Sequence, residues 1–143
     1  MPKKSFYVDT CIYLNLWQKE IDKRGIKLWK IAQDFFEKYN DATICYSGFL
    51  LKEMQHILTE EEFIKKRKLF NSSENFEKIR LLSKEFNVAR KMESELDYEI
   101  SFFDIIHIIL TKKSKSILVT RDRKLILSAK KYELIAKKPE ELL

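Results

Sequence analysis

Short β-prone runs alternate with stretches of helical periodicity along most of this chain, and that alternation constrains the fold more than any other feature. Phe6-Tyr7-Val8 leads into Ile12, Tyr13, Leu16 and Trp17 at helical spacing. After Gly25, Leu28, Trp29, Ala32, Phe35, Phe36 and Tyr39 draw the stripe of an amphipathic helix. Thr43-Ile44-Cys45-Tyr46 reads as a second strand, and Ser47-Gly48 precedes an apolar helical run from Phe49 to Leu58. Near the end, helix Phe102 to Thr111, strand Ile117 to Thr120, helix Lys124 to Lys131 and strand Leu134 to Ala136 continue the pattern. Strands joined through helices pair in parallel, because the crossover carries the chain back to its starting edge. With two Gly and two Pro in 143 residues, the tight turns of an all-β design are largely unsupplied, so helices should dominate.

One compact domain spanning residues 1–143 is the expectation, since this length buries a continuous core and no linker or repeat interrupts it. The segment from Thr59 to Glu99 departs from the alternation: it is densely charged and shows no β-rich run. It predicts a helical hairpin turning at Asn71-Ser72-Ser73, with Ser73 as an N-cap and Phe76, Ile79, Leu82, Phe86, Ala89, Met92 and Leu96 along the packed face of its second arm. The basic start Met1-Pro2-Lys3-Lys4 runs into Asp9 too soon for a signal peptide, which predicts a cytoplasmic protein. The longest apolar stretch, Ile105 to Leu110 interrupted by His107, is far short of the roughly 20 residues needed to span a bilayer, so no membrane partner is expected. Cys11 and Cys45 lack metal-ligand spacing, and two histidines do not make a histidine metal site.

Four carboxylates interrupt apolar or strand-end contexts, while most others lie on charged, solvated faces. Asp9 and Asp122 each follow a strand; an isolated Asp there is ordinarily an N-cap, but two of them at carboxyl ends favour one shared crevice. Asp104 opens a helix that is apolar nearly all round, and with His107 and Thr111 it forms a narrow polar stripe that should line a polar cleft. His107 itself reads as a packed, hydrogen-bonded residue in preference to a ligand or general base. Glu53, one turn into the helix after the second strand, would alone be an ordinary surface glutamate, and gains meaning from the other three. Carboxylates gathered without a His or Cys cluster are the ligand set of a hard cation, Mg²⁺ or Mn²⁺, and such ions serve phosphodiester hydrolysis.

These residues resemble the PIN-domain ribonucleases, and within them the toxins of VapBC toxin–antitoxin systems. The resemblance covers most of the chain through Phe6-Tyr7-Val8-Asp9-Thr10, Glu53, Asp104 at the head of its apolar helix, Leu118-Val119-Thr120-Arg121-Asp122, and the ending Lys138-Pro139-Glu140-Glu141-Leu142. It implies a three-layer α/β/α fold with a short central parallel sheet, the hairpin being an insertion. It also implies an acidic catalytic and metal-binding tetrad of Asp9, Glu53, Asp104 and Asp122, supported by Thr10, Ser47 and Thr120. His107 and Lys124 depart from the family pattern, the latter standing where a further Asp is common.

Cleavage of single-stranded or looped RNA is the activity this resemblance implies, together with a cognate antitoxin and a homodimer. The formal charge of +6 suits a polyanion, and Arg121, Arg123 and Lys124, flanking Asp122, are the first candidates for phosphate contacts, ahead of Lys65 to Lys68 and Lys112 to Lys115. Two alternatives remain at this stage: a housekeeping RNA-processing or RNA-decay nuclease, and a degenerate PIN domain that binds RNA or protein without cutting.

Overall fold

In the computed structural model, which describes residues 4–143, every β-prone run pairs in parallel; Met1, Pro2 and Lys3 of the basic start lie outside the described residues. The order along the chain is β1 (Ser5–Val8), α1 (Thr10–Trp17), α2 (Leu28–Lys38), β2 (Thr43–Tyr46), α3 (Gly48–Ile57), α4 (Glu60–Ser72), β3 (Phe76–Lys78), α5 (Ser83–Glu95), α6 (Phe102–Lys113), β4 (Ile117–Val119), α7 (Arg123–Lys131) and β5 (Ala136–Lys137), closed by a 3₁₀ turn at Pro139–Leu142. In space the strands run β3-β2-β1-β4-β5, so the chain winds outward on one side of β1 and then on the other. That reversal between β1 and β4 opens a crevice at the carboxyl ends of the two strands, where open α/β sheets bind ligands.

Alternation along each strand sends side chains into two separate cores. Phe6 and Val8, Ile44 and Tyr46, and Val119 face one side, where Ile12, Phe35, Leu50, Met54 and Phe70 cover them from α1, α2, α3 and α4. Tyr7, Cys45 and Leu118 face the other, under Ala89, Ile105, Ile106, Leu110 and Leu125 from α5, α6 and α7. The three-layer α/β/α arrangement follows from these two apolar faces, each of which must be covered.

The segment from Thr59 to Glu99 is not an uninterrupted hairpin. Its two helices are present, α4 opening with a reciprocal cap between Thr59 and Glu62, but β3 lies between them and pairs with β2. Ser73 ends α4 and caps no second helix. The Ile44 amide donates to the Asn75 carbonyl and the Ile79 amide to the Tyr46 carbonyl, so β3 satisfies backbone groups that would otherwise be exposed on β2. Phe76, assigned to a helix face by its spacing, instead packs on Phe70 and Tyr46. Three residues, two of them the exposed charges Glu77 and Lys78, are too few to show a period of two. The last strand likewise starts later than its apolar run, because the Leu134 amide donates back to the Ala129 carbonyl and closes α7.

Scarcity of glycine leaves its mark at the helix ends. Lys19, Asp97, Lys115 and Glu133 each follow a helix C-cap with φ between 52° and 63°, the left-handed conformation that glycine ordinarily supplies there. Each donates to the carbonyl three residues back, and the next residue donates five back, as Glu20 does to Asn15 and Ser116 to Thr111. An L side chain in this conformation costs more than glycine's extra chain entropy. Glu133→Gly and Lys115→Gly, both at exposed positions, should therefore each raise the free energy of unfolding by about 0.5–1 kcal/mol in urea titrations, without altering the fold.

Candidate active site

The crevice between β1 and β4 is built by three chain reversals that deliver carboxylates to one place. Asp9 ends β1 and caps α1: its backbone amide donates to the Val119 carbonyl, its Oδ1 accepts the Thr10 amide at 2.8 Å, and its Oδ2 accepts the Thr120 hydroxyl at 2.7 Å. Thr120 is in turn fixed by the Asp122 amide, which donates to its Oγ1 at 3.1 Å. Glu53 on α3 accepts the Thr10 hydroxyl at 3.3 Å. Asp104 enters from the first turn of α6, whose start is capped by the Ser101 hydroxyl.

Asp9, Glu53 and His107 bring one ligating atom each to within 4.8 Å of one another. Asp104 and Asp122 lie outside that tight group, although the charges of both act on the cluster. The Asp104 carboxyl is pushed up to about 6, first by burial and then by the Asp9 charge, with Asp122 and Glu53 adding to the repulsion and His107 opposing it. Asp122 is exposed and spends Oδ1 as the N-cap of α7, accepting the Lys124 and Leu125 amides at 3.0 and 3.3 Å. The N-cap role weighed for the strand-end aspartates is present in both: Asp9 caps α1 through Oδ1 while its Oδ2 accepts Thr120, and Asp122 caps α7 through Oδ1 alone.

The polar stripe of α6 lines the crevice at Asp104 alone. His107 is fully buried, and Thr111 turns back to its own helix, its hydroxyl donating to the His107 carbonyl at 2.6 Å. His107 bonds through both ring nitrogens: Nε2 meets Glu53 Oε1 at 2.5 Å, and Nδ1 meets the Tyr7 hydroxyl at 2.7 Å. Tyr7 reaches Ser47 at 2.7 Å, and the Ser47 hydroxyl oxygen accepts the Leu50 amide. With the ring neutral, one direction satisfies the whole series, Leu50 amide to Ser47, Ser47 to Tyr7, Tyr7 to Nδ1, and Nε2–H to Glu53. Burial disfavours the imidazolium, while the facing carboxylates of Glu53, Asp9 and Asp104 raise its affinity for a proton and prevail.

Of the hydroxyl partners expected from the sequence, Thr120 holds Asp9 and Thr10 holds Glu53, whereas Ser47 reaches Glu53 only through Tyr7 and His107. Tyr7 was not singled out; its polar tip on the face of β1 opposite Phe6 and Val8 is the trace it leaves in the sequence. Arg121 is placed differently from the expected phosphate contact. Its Nε donates to Asn15 Oδ1 at 2.7 Å and its guanidinium pairs with Glu140 at 2.9 Å, tying β4 to α1 and to the closing 3₁₀ turn. The pairing leaves its side chain only 17% exposed, while Arg123 and Lys124 stand exposed beside Asp122. Lys65 and Lys113 are paired with Glu61 and Glu85.

The carboxylate oxygens of Asp9 and Glu53, with His107 Nε2 beside them and the Asp104 carboxyl close by, fit a hard divalent cation, whose charge would relieve the repulsion that helps push the Asp104 carboxyl up. Because the folded state holds the Asp104 proton more tightly than the unfolded chain, the metal-free protein loses stability as pH rises from about 4 to about 6. Asp104→Asn should raise the melting temperature of metal-free protein by a few degrees at pH 7.5, with the difference closing near pH 4; thermal melts in chelator across that range check it.

Among known proteins, the PIN domain family model matches residues 6–131. FitAcB from Neisseria gonorrhoeae superposes with a TM-score of 0.62 at 11% identity, covering 94% of this chain and 98% of that one. PAE2754 from Pyrobaculum aerophilum gives 0.54 at 15% identity, covering 99% and 95%. FitAB bound to an IR36 DNA fragment gives 0.60 at 12% identity, covering 94% of each. At these identities the likeness is one of fold. Comparison with curated protein sequences gives no match. No helix among the described residues is long and apolar enough to cross a membrane. The carboxylate crevice thus sits on a scaffold matched by a family model over most of its length, and the chain belongs to the PIN domain family.

Proposed function

We propose that this protein is a Mg²⁺- or Mn²⁺-dependent endoribonuclease acting on single-stranded or looped RNA, of the VapC toxin type. The observation that supports the reading is the grouping of Asp9 and Glu53, with His107 beside them, at the crevice between β1 and β4, near enough to Asp104 that burial and then the Asp9 charge push its carboxyl up to about 6. Asp9, Glu53 and Asp104 would hold the ion, with Asp122 at the exposed margin. When bound, a divalent ion lowers the pKa of water and neutralises charge developing on a phosphodiester.

The residues behind the carboxylates would fix a bound ion by fixing the carboxylates themselves. Thr120 and the Thr10 amide leave Asp9 little rotational freedom, and Thr10 and His107 do the same for Glu53. His107 acts from behind Glu53 as a positioning residue, since Tyr7 holds its other nitrogen. Arg123 and Lys124, exposed beside Asp122, are suited to the phosphates that flank the cut bond. The toxin role, with a cognate antitoxin, a second copy of this chain as partner and a cytoplasmic site of action, rests on the resemblance to VapC proteins. One neighbour in fold, FitAB, is bound to DNA; the choice of RNA here also rests on that resemblance.

Purified protein should cut an unstructured RNA with Mg²⁺ or Mn²⁺ and stop in chelator. Asp9→Asn should lower the rate at least about 100-fold while remaining folded, and His107→Ala should lower it less than Asp104→Asn does. Expression of the wild type, and not of Asp9→Asn, should arrest growth. Cleavage by Asp9→Asn at the wild-type rate would remove the metal-site assignment.

A further inference from the structure

On the opposite side of the sheet from Tyr7, an aromatic-walled pocket of about 340 Å³ opens between α1, α2 and α4, beside the start of β3. Tyr13, Trp17, Phe36 and Phe76 contribute rings to its walls, and Ser73 and Asn75 add polar groups. The centroid of Tyr13 lies 5.3 Å from that of Phe36 and 5.4 Å from those of Trp17 and Phe70, and Phe70 lies 5.2 Å from Phe76, so the walls brace one another. Tyr13 is wholly enclosed, and its hydroxyl has no hydrogen-bond partner among the described residues. Elsewhere the chain pairs its phenols: Tyr7 meets His107 and Ser47, Tyr39 donates to the Leu142 carbonyl, and Tyr132 donates to Glu95. A buried phenol ordinarily finds a partner, because leaving it unpaired gives up hydration without return.

We propose that this pocket binds a small, uncharged, flat aromatic molecule that offers a hydrogen-bond acceptor to Tyr13. Three observations select that chemistry. No charged side chain lines the pocket, in a chain of which 35% of residues are charged, so an ionised ligand would lose its hydration with no counter-charge in exchange. Rings from α1, α2 and β3 suit a flat ring system, and the volume is that of a small-molecule site. The unpaired hydroxyl calls for an acceptor, whereas an apolar side chain inserted by a protein partner would fill the space and leave the phenol unpaired. The pocket is separate from the carboxylate crevice, yet the two share α1: Tyr13 stands one turn beyond Thr10, whose amide and hydroxyl hold Asp9 and Glu53. Its occupancy does not depend on the nuclease reading.

The test uses the full chain, isotope-labelled so that NMR resolves the indole N–H of its two tryptophans, Trp17 in the pocket and Trp29 outside it. The probes are quinoline, uncharged near neutral pH, and naphthalene, which has the same shape without the ring nitrogen. Quinoline should shift the Trp17 signal, leave that of Trp29 in place, and bind about tenfold more tightly than naphthalene. Tyr13→Phe, which keeps the ring and removes the hydroxyl, should bind naphthalene as the wild type does and hold quinoline no better. Leu69→Trp, filling the pocket from α4, should exclude both probes and serves as the second variant should Tyr13→Phe prove unstable in thermal melts. Asp9→Asn should bind quinoline like the wild type, whatever its effect on RNA cleavage. Equal affinity of the wild type for the two probes, binding of neither, or shifts confined to Trp29 would overturn the proposal. A Trp17 shift that grows with protein concentration alone, with a dimer mass by light scattering, would assign the pocket to a second copy of the chain and overturn it as well.

Discussion

Asp9 occupies the one position in the sheet where two strand ends, two helix starts and a cluster of negative charge meet. Its amide continues the ladder between β1 and β4 through Val119, and its carboxylate accepts the first amide of α1 and the Thr120 hydroxyl. Those donors stabilise a buried carboxylate that would otherwise be costly. They also leave it rigid, so that every further acid brought near adds repulsion that a side-chain rotation cannot relieve. Burial first, and then the Asp9 charge, push the Asp104 carboxyl up, which ties the stability of the crevice to the charge placed in it.

Glu53 is controlled from the opposite direction. Buried hydrogen bonds reach it from the α3 cap through Ser47, Tyr7 and His107, crossing from β2 to β1 to α6 before arriving at its carboxylate. A half-buried glutamate on a helix would ordinarily sample several rotamers. Here a fully buried imidazole, itself held at both nitrogens, limits it.

The chain was legible wherever a residue's role followed from its own element. The strand–helix alternation disclosed the parallel sheet, and Asp9 and Asp122 could be placed at carboxyl ends because the strands before them were evident. Asp104 was conspicuous because a carboxylate inside an apolar helix needs a reason. β3 was not legible: its three residues are held by the open edge of β2 and by Phe70 and Tyr46, none of which is near in sequence. Arg121, expected among the phosphate contacts because it neighbours Asp122, pairs with Glu140, which the closing 3₁₀ turn brings to it, an ion pair that its sequence neighbours do not announce.

The sequence by itself determined the layered α/β architecture and the acids that could matter, because hydrophobic periodicity and misplaced charge are local properties of the chain. Tertiary structure alone decided which polar groups touch. It made His107 a support for Glu53 through Tyr7, turned Thr111 back onto its helix, set Asp122 at the margin of the cluster, and brought Phe49 and Phe102 against the second core. Each of these depends on elements separated by tens of residues in the chain, and their meeting is fixed by the order in which the strands assemble around β1.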